Sequence, residues 1–398
     1  RLYPALRRSV VVPSSATPMA GLLSQLRNDH VVGFFESQPA KGPTDAKHEG
    51  QLHVIVVSRG RTRLALANLS LPAIRALVTK MLANPADSEV AAALGASLFP
   101  EGTLPDDKGT TKVHLIPSPA LAGLPFAALT RAGKHLAEQW VLAEIPSLSA
   151  LAALRTLPRT EAAAPAVFAD PSGDLSAARA EAKEVAERLG DDTRVFVGKE
   201  VTSEGLRRVG VPSVLHFALH SGLGPSGAWL GLADRQIFAG ELVDWRLRAH
   251  VVVLASCASV VTRDPGQWGS LAASFLANGT PSVVGSLWST KDEVNRAFVR
   301  RFYAEGGASD PAAGLAAAQR AWISEGRGPG DWGAYVVYGA ADSVQPARIA
   351  RTLPASRSLT GTKDRAESNS ERRSFPPSST GSLRGSSRES SAVGRRGP

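Results

Sequence analysis

A chain of 398 residues, 43% of them hydrophobic, is long enough to bury one large core or two modest ones, and its single cysteine excludes an internal disulfide framework. The formal net charge of +9 is unevenly spread: residues 343–398 hold eleven Lys/Arg against four Asp/Glu, which is +7 of the total. That tail, ending in "SNSERRSFPPSSTGSLRGSSRESSAVGRRGP", has too few apolar residues to offset its ordering entropy, so it reads as disordered and as the only place for weak nucleic-acid contact. No run of about 18 apolar residues is present to cross a bilayer, and no charged start leading into an apolar stretch reads as a signal peptide. A reducing cytoplasm is the expected location, with no membrane contact. The start at Arg1 instead of Met reads as a piece of a longer chain, with residues 1–20 as a linker from an upstream region.

Residues 21–160 read as a smaller α+β lobe. "QLHVIVVSRGRTRLALANL" predicts a hairpin turning at Arg59-Gly60, a helix follows over Pro72–Leu82, and "TTKVHLIPSPALAGLPFAAL" and "KHLAEQWVLAEIPSLSALAAL" supply further extended segments. "TLPRTEAAAP" is the expected connector near residue 160.

From residue 161 to 342 short β-branched strands alternate with amphipathic helices, the signature of βαβ units and a mainly parallel sheet. The strands are "AVFAD", "TRVFVG", "SVLHFALH", "HVVVLASC", "PSVVGSLW" and the closing "WGAYVVYGA". Between them "LSAARAEAKEVAERLG" repeats Leu175, Ala178, Ala182, Val185, Ala186 and Leu189 at helical spacing, and a short helix near Ser203–Val209, "SLAASFLANG", "VNRAFVRRFYAEG" and "PAAGLAAAQRAWISEG" add further helices.

Two chemistry-bearing residues fall at the carboxyl ends of strands, where open α/β sheets gather their ligands: His220 after Val214–Leu219 and Cys257 after Val251–Leu254. If those strands are neighbours, imidazole and thiol meet, and the histidine can take the thiol proton. A lone cysteine after an apolar run is otherwise a small core residue. His216, four residues before His220, shares its face and reads as a supporting or packed residue. One cysteine and scattered histidines offer no zinc spacing, so no metal or cofactor is expected. "GLGPSG", Gly222–Gly227, matches the dinucleotide pattern, but turn-rich sequence follows it where a helix is required, so it reads as a hairpin.

The ordered set "VLHFALHSG", "ELVDWRLRAHVVVLASC", "GSLAASFLANGTPSVVGSLWSTKDE" and "DWGAYVVYG", with "HLIPSPALAGLPFAALTRAGKHLAEQWVLAEIPSLSAL" upstream, closely resembles the CHAT family of caspase-like cysteine peptidases over roughly residues 21–340. The resemblance implies a caspase-like, mainly parallel sheet flanked by helices. It also implies a peptidase of the caspase, separase and gingipain class, with His220 as base and Cys257 as nucleophile. Backbone amides of Ser221 and Cys257 would then hold the oxyanion; Ser221 stands where the family usually has glycine and still supplies its N–H. A protein substrate and upstream helical repeats or a regulator protein are the implied partners. Asp292, in "LWSTKDE", and Asp170, at the end of "AVFAD", are candidates to line a pocket for a basic residue before the cut; the alternative for each is helix or turn capping. The competing reading of the whole chain is a catalytically silent caspase-like interaction module.

Overall fold

The computed structural model describes residues 21, 26, 29–37, 50–58, 61–102, 104, 109–158, 161–256, 259 and 270–343. All of them belong to the first of two compact units, Arg1–Arg348; the second, Ile349–Pro398, lies outside the described residues, as do the expected linker 1–20 and the tail from residue 344.

The chain opens with β1 (His30–Ser37), β2 (Gln51–Ser58) and β3 (Arg61–Ser70), paired antiparallel in the order β1-β2-β3. β2 and β3 are the expected hairpin; its Arg59-Gly60 turn lies outside the described residues. Helix α1 (Leu71–Ala83) buries Leu71, Ile74, Val78 and Met81, one stripe at helical spacing, and α2 (Ser88–Leu98) starts at Asp87, whose carboxylate accepts the Val90 N–H at 3.0 Å. Next come β4 (Lys112–Ile116), a small hairpin of β5 (Thr130–Arg131) and β6 (Lys134–His135), α3 (Leu136–Gln139), β7 (Val141–Glu144) and α4 (Leu148–Thr156). The last of these corrects an expectation of extended chain. Leu148–Arg155 contains no β-branched residue, and the Ser147 hydroxyl accepts the Ala150 N–H at 3.0 Å, so the segment coils.

The second half contains β8 (Ala166–Ala169), α5 (Ser176–Leu189), β9 (Arg194–Val197), α6 (Ser203–Arg207), β10 (Val214–Ala218), β11 (Ser221–Gly224), β12 (Gly227–Gly231), β13 (Gln236–Phe238), α7 (Ala239–Asp244), β14 (Val251–Leu254), α8 (Leu271–Ala277), β15 (Ser282–Ser286), α9 (Asp292–Ala304), α10 (Pro311–Ser324), α11 (Pro329–Trp332) and β16 (Tyr335–Gly339). One 11-stranded sheet runs β3-β2-β1-β4-β7-β16-β15-β14-β10-β8-β9. Apart from the β1-β2-β3 meander and the β15–β16 pair, neighbours run parallel. β7 beside β16 makes the sheet continuous across the expected connector near residue 160.

Strand side chains alternate between two cores. Val167, Ala169, Val251 and Val253 pack under α1, α2, α5, α9 and α10, while Phe168, Phe217, Val252 and Leu254 pack with α4, α6, α7 and α8. Phe168, Phe217 and Phe275 adjoin in the second core with ring centroids 5.8 and 6.0 Å apart, and cutting any of them to Ala costs about 3–5 kcal/mol.

β8 is flanked by β9 on one side and β10 on the other, so the connection after β8 runs over one face and the connection after β10 over the opposite one. This leaves a crevice at the carboxyl ends of β8 and β10, the position where such sheets bind ligands.

Candidate functional site

β10 pairs in parallel with β14, with Phe217 level with Leu254, and with β8, with Ala218 level with Ala169. His220 therefore emerges at the crevice. The chain leaves the main sheet directly after it: Ser221 starts β11, which pairs with β12 around the two-residue turn Pro225-Ser226, and the Gly231 N–H donates to the His220 carbonyl at 2.9 Å. The dinucleotide-like "GLGPSG" is thus a hairpin, as its sequence predicts. Its glycines serve Trp229: a Cβ on Gly222 would stand 2.8 Å from the indole. Ser221 sits on this hairpin strand, half-buried, next to His220.

The His220 side chain is 49% exposed, and its Nε2 lies 3.2 and 3.3 Å from the two carboxylate oxygens of Asp174. Asp174 follows β8 and gave no signal in the sequence, since an aspartate in "PSGD" reads as a turn residue. Hydrogen bonds from Ser172 and then His220 hold its carboxyl below the usual aspartate value.

His216 lies at the opposite extreme of exposure, fully buried. Its Nε2 is 2.9 Å from Glu181 Oε1 and its Nδ1 is 3.1 Å from the Tyr303 hydroxyl. Burial, with the nearby Glu181 charge, raises the Tyr303 pKa well above the phenol value, so the hydroxyl stays protonated. Glu181 Oε2 accepts from Asn295 Nδ2 at 3.0 Å, and Asn295 Oδ1 accepts from the Tyr335 hydroxyl at 2.8 Å.

A cleft of about 250 Å³ opens beside these groups, lined by His220, Ser256, Thr290, Asp292, Asn295 and Glu181 among others. His220 is its one basic lining residue among those described, against the carboxylates of Glu181 and Asp292. Asp292 is the first residue of α9; the cap position belongs to Lys291 and shows no side-chain cap bond. Asp170 is placed elsewhere. It is fully buried, accepts the Leu175 N–H at 2.8 Å on Oδ1, pairs with Arg179 through Oδ2, and is not part of the cleft lining.

Cys257 lies outside the described residues, but both sides of it are fixed. The Ser256 carbonyl accepts from the Ser286 hydroxyl at 2.8 Å, and the Ser259 hydroxyl donates to the Leu254 carbonyl at 3.2 Å while accepting the Ser286 N–H at 3.0 Å. Ser256 Oγ, buried against the cleft, has no hydrogen-bond partner among the described residues. No group of three or more His, Cys, Asp or Glu among the described residues is arranged to hold a metal ion.

The family model of the CHAT domain matches residues 71–340. The chain belongs to the CHAT domain family. Among solved structures, this CHAT chain is similar to two of the Saccharomyces cerevisiae separase–securin complex, with TM-scores of 0.58 and 0.57 at 12% and 11% identity. These alignments cover 80% and 81% of the CHAT chain but 30% of the separase chain, so the CHAT chain spans under a third of that relative. The Arg-specific cysteine proteinase gingipain R also aligns, at TM-score 0.45 and 10% identity, over 67% of this chain and 71% of that one. No curated protein matches the sequence. The CHAT chain thus has the caspase-like fold, a mainly parallel sheet flanked by helices. No helix among the described residues is long and apolar enough to cross a membrane.

Proposed function

We propose that this chain is a cysteine endopeptidase in which His220 and Cys257 form the catalytic pair. The observation that carries the reading is the parallel pairing of β10 with β14: His220 follows Phe217 by three residues, and Cys257 follows its register partner Leu254 by the same three. The tethering of Ser256 and Ser259 to β14 and β15, and the cleft in front of them, support it. His220 takes the thiol proton, and the thiolate sulfur attacks the scissile carbonyl carbon. Backbone amides, with Ser221 and Cys257 as candidates, stabilise the oxyanion. The C–N bond breaks as His220 returns the proton to the leaving amine, and water then hydrolyses the thioester.

A polar cleft with Asp292 and Glu181 in its walls, and with Ser256 Oγ lacking a hydrogen-bond partner among the described residues, favours a basic residue before the cut. Asp292 is the assigned pocket carboxylate. Asp170, sealed under Arg179, shapes the loop beside the site, and His216 supports the wall from within. The substrate is a protein, and a regulator protein is the expected partner, as securin accompanies separase in the similar structure.

A peptide probe with a thiol-reactive warhead and Arg at its reactive end tests the reading. Labelling of the wild type that disappears in Cys257→Ala is the expected result. A thiol left unlabelled in the native chain, together with no cleavage of any library peptide, would instead mark a silent interaction module.

A further inference from the structure

We propose that Asp174 is the positioning residue that orients His220 for its proton transfers, and that Asp170 and Arg179 brace the loop that carries it. The inference rests on the peptidase reading for its chemistry, but the contact stands on the geometry alone. A carboxylate can only accept, so an imidazole nitrogen facing both of its oxygens at 3.2 and 3.3 Å carries the hydrogen. That fixes Nε2–H in the neutral ring and leaves the Nδ1 lone pair as the base. Nδ1 takes the proton in the first step and gives it to the leaving amine in the second, while Asp174 stays ionised and faces the imidazolium between them.

The loop is held from several sides. Asp170 adopts φ +48, a left-handed conformation that costs a non-glycine residue about 1 kcal/mol or more. Its N–H donates to the Ala218 carbonyl at 3.0 Å, which ties the end of β8 to the end of β10, two residues before His220. Its carboxylate then gathers the Leu175 N–H and Arg179, closing the turn across which Asp174 projects. Ser172 Oγ donates to Asp174 Oδ1, and Gly173 supplies a positive φ of +84 between them. Such a turn brings a carboxylate that follows β8 to the histidine that follows β10; holding the start of α5 would require only the Asp170 contacts.

The test uses the full chain with Asp174→Asn, Asp174→Glu, His220→Ala and the double variant His220→Ala/Asp174→Asn. On a peptide that the wild type cleaves, Asp174→Asn is expected to lower kcat roughly 10- to 100-fold with KM within about twofold, less than the loss seen where the orienting aspartate is buried. Asp174→Glu should recover part of it. Alkylation of the single cysteine by iodoacetamide at neutral pH reads the same coupling without turnover: each single variant should slow it, and the double variant should be no slower than His220→Ala alone. Wild-type kcat in Asp174→Asn, or additive slowing in the double variant, would overturn the role of Asp174. Failure of the peptidase reading shows differently, as absent turnover in the wild type, and the alkylation cycle then still decides whether Asp174 acts through His220.

Discussion

The imidazole of His216 and the carboxylate of Glu181 meet at 2.9 Å with both side chains almost wholly shielded from water, joining β10 to α5 directly beneath the cleft. Because neither is screened by solvent, removing one partner strands the other. His216→Leu is expected to cost about 3–5 kcal/mol, measured by urea denaturation, whereas Glu181→Gln, which keeps hydrogen-bonding capacity, should cost less. If His216→Leu moved the transition by under 1 kcal/mol, the pair would be no keystone of this wall.

The half-exposed His220 behaves oppositely. His220→Ala and Cys257→Ser should each remove nearly all peptide cleavage, and for His220→Ala the thermal midpoint should stay within a few degrees of wild type, because an exposed ion pair contributes about 0–1 kcal/mol. Turnover retained in either variant would remove that residue from the chemistry.

The two aspartates near the cleft separate by the kind of damage they cause. Asp292→Ala should weaken cleavage after Arg and Lys relative to other residues, with the fold intact. Asp170→Ala strands Arg179 and the Leu175 N–H, so the expected loss is stability, about 1–3 kcal/mol, with the ranking of peptides unchanged. Library profiling beside calorimetry distinguishes them, and an Asp170 variant with altered preference would move the pocket to β8.

Acid should loosen the sheet in two stages around β4, an inner strand away from the crevice. His114, fully buried on β4, has its pKa lowered from 6.5, first by burial, against the hydrogen bond it donates to Asp29. Burial works to raise the Asp29 pKa, but hydrogen bonds with His114 and Arg155 outweigh it and hold the value at about 2. For both groups the unfolded chain binds protons more readily. The His114 contribution is therefore present above pH 6.5 and declines below it, while the Asp29 contribution holds down to the ordinary aspartate value of 3.8 and is lost as pH falls toward 2. Urea midpoints between pH 8 and 3 should fall accordingly, and His114→Gln should flatten the upper part of that slope; an unchanged slope in the variant would assign it to other groups.

The parallel half of the fold was legible because its strands are short, unbroken and β-branched, and because Gly and Pro punctuate them: Ser282–Ser286 and Tyr335–Gly339 fall inside the expected "PSVVGSLW" and "WGAYVVYGA". The first half was harder. Strand β1, "HVVGFFES", and helix α2 carry no clear sequence signal, and α4 reads as extended because an Ala/Leu run carries little period of its own. In the site, strand ends pointed to His220, since secondary structure alone puts it at the sheet edge. Asp174 was invisible for the converse reason: 46 residues separate it from His220, and only the adjacency of β8 and β10 joins them.

Strand β16 is the last strand in sequence among the described residues, yet it lies near the middle of the sheet, between β15 and β7. During synthesis, at about 5–20 residues per second, everything up to Gly330 can emerge with two inner strands still lacking a shared neighbour. Until Tyr335–Gly339 slots in, β7 and β15 present bare hydrogen-bonding edges to any passing chain. A nonsense truncation before Tyr335 would therefore produce a sticky, chaperone-dependent product and not a trimmed domain, and the five residues Tyr335–Gly339 supplied as a separate peptide would be the natural plug for it.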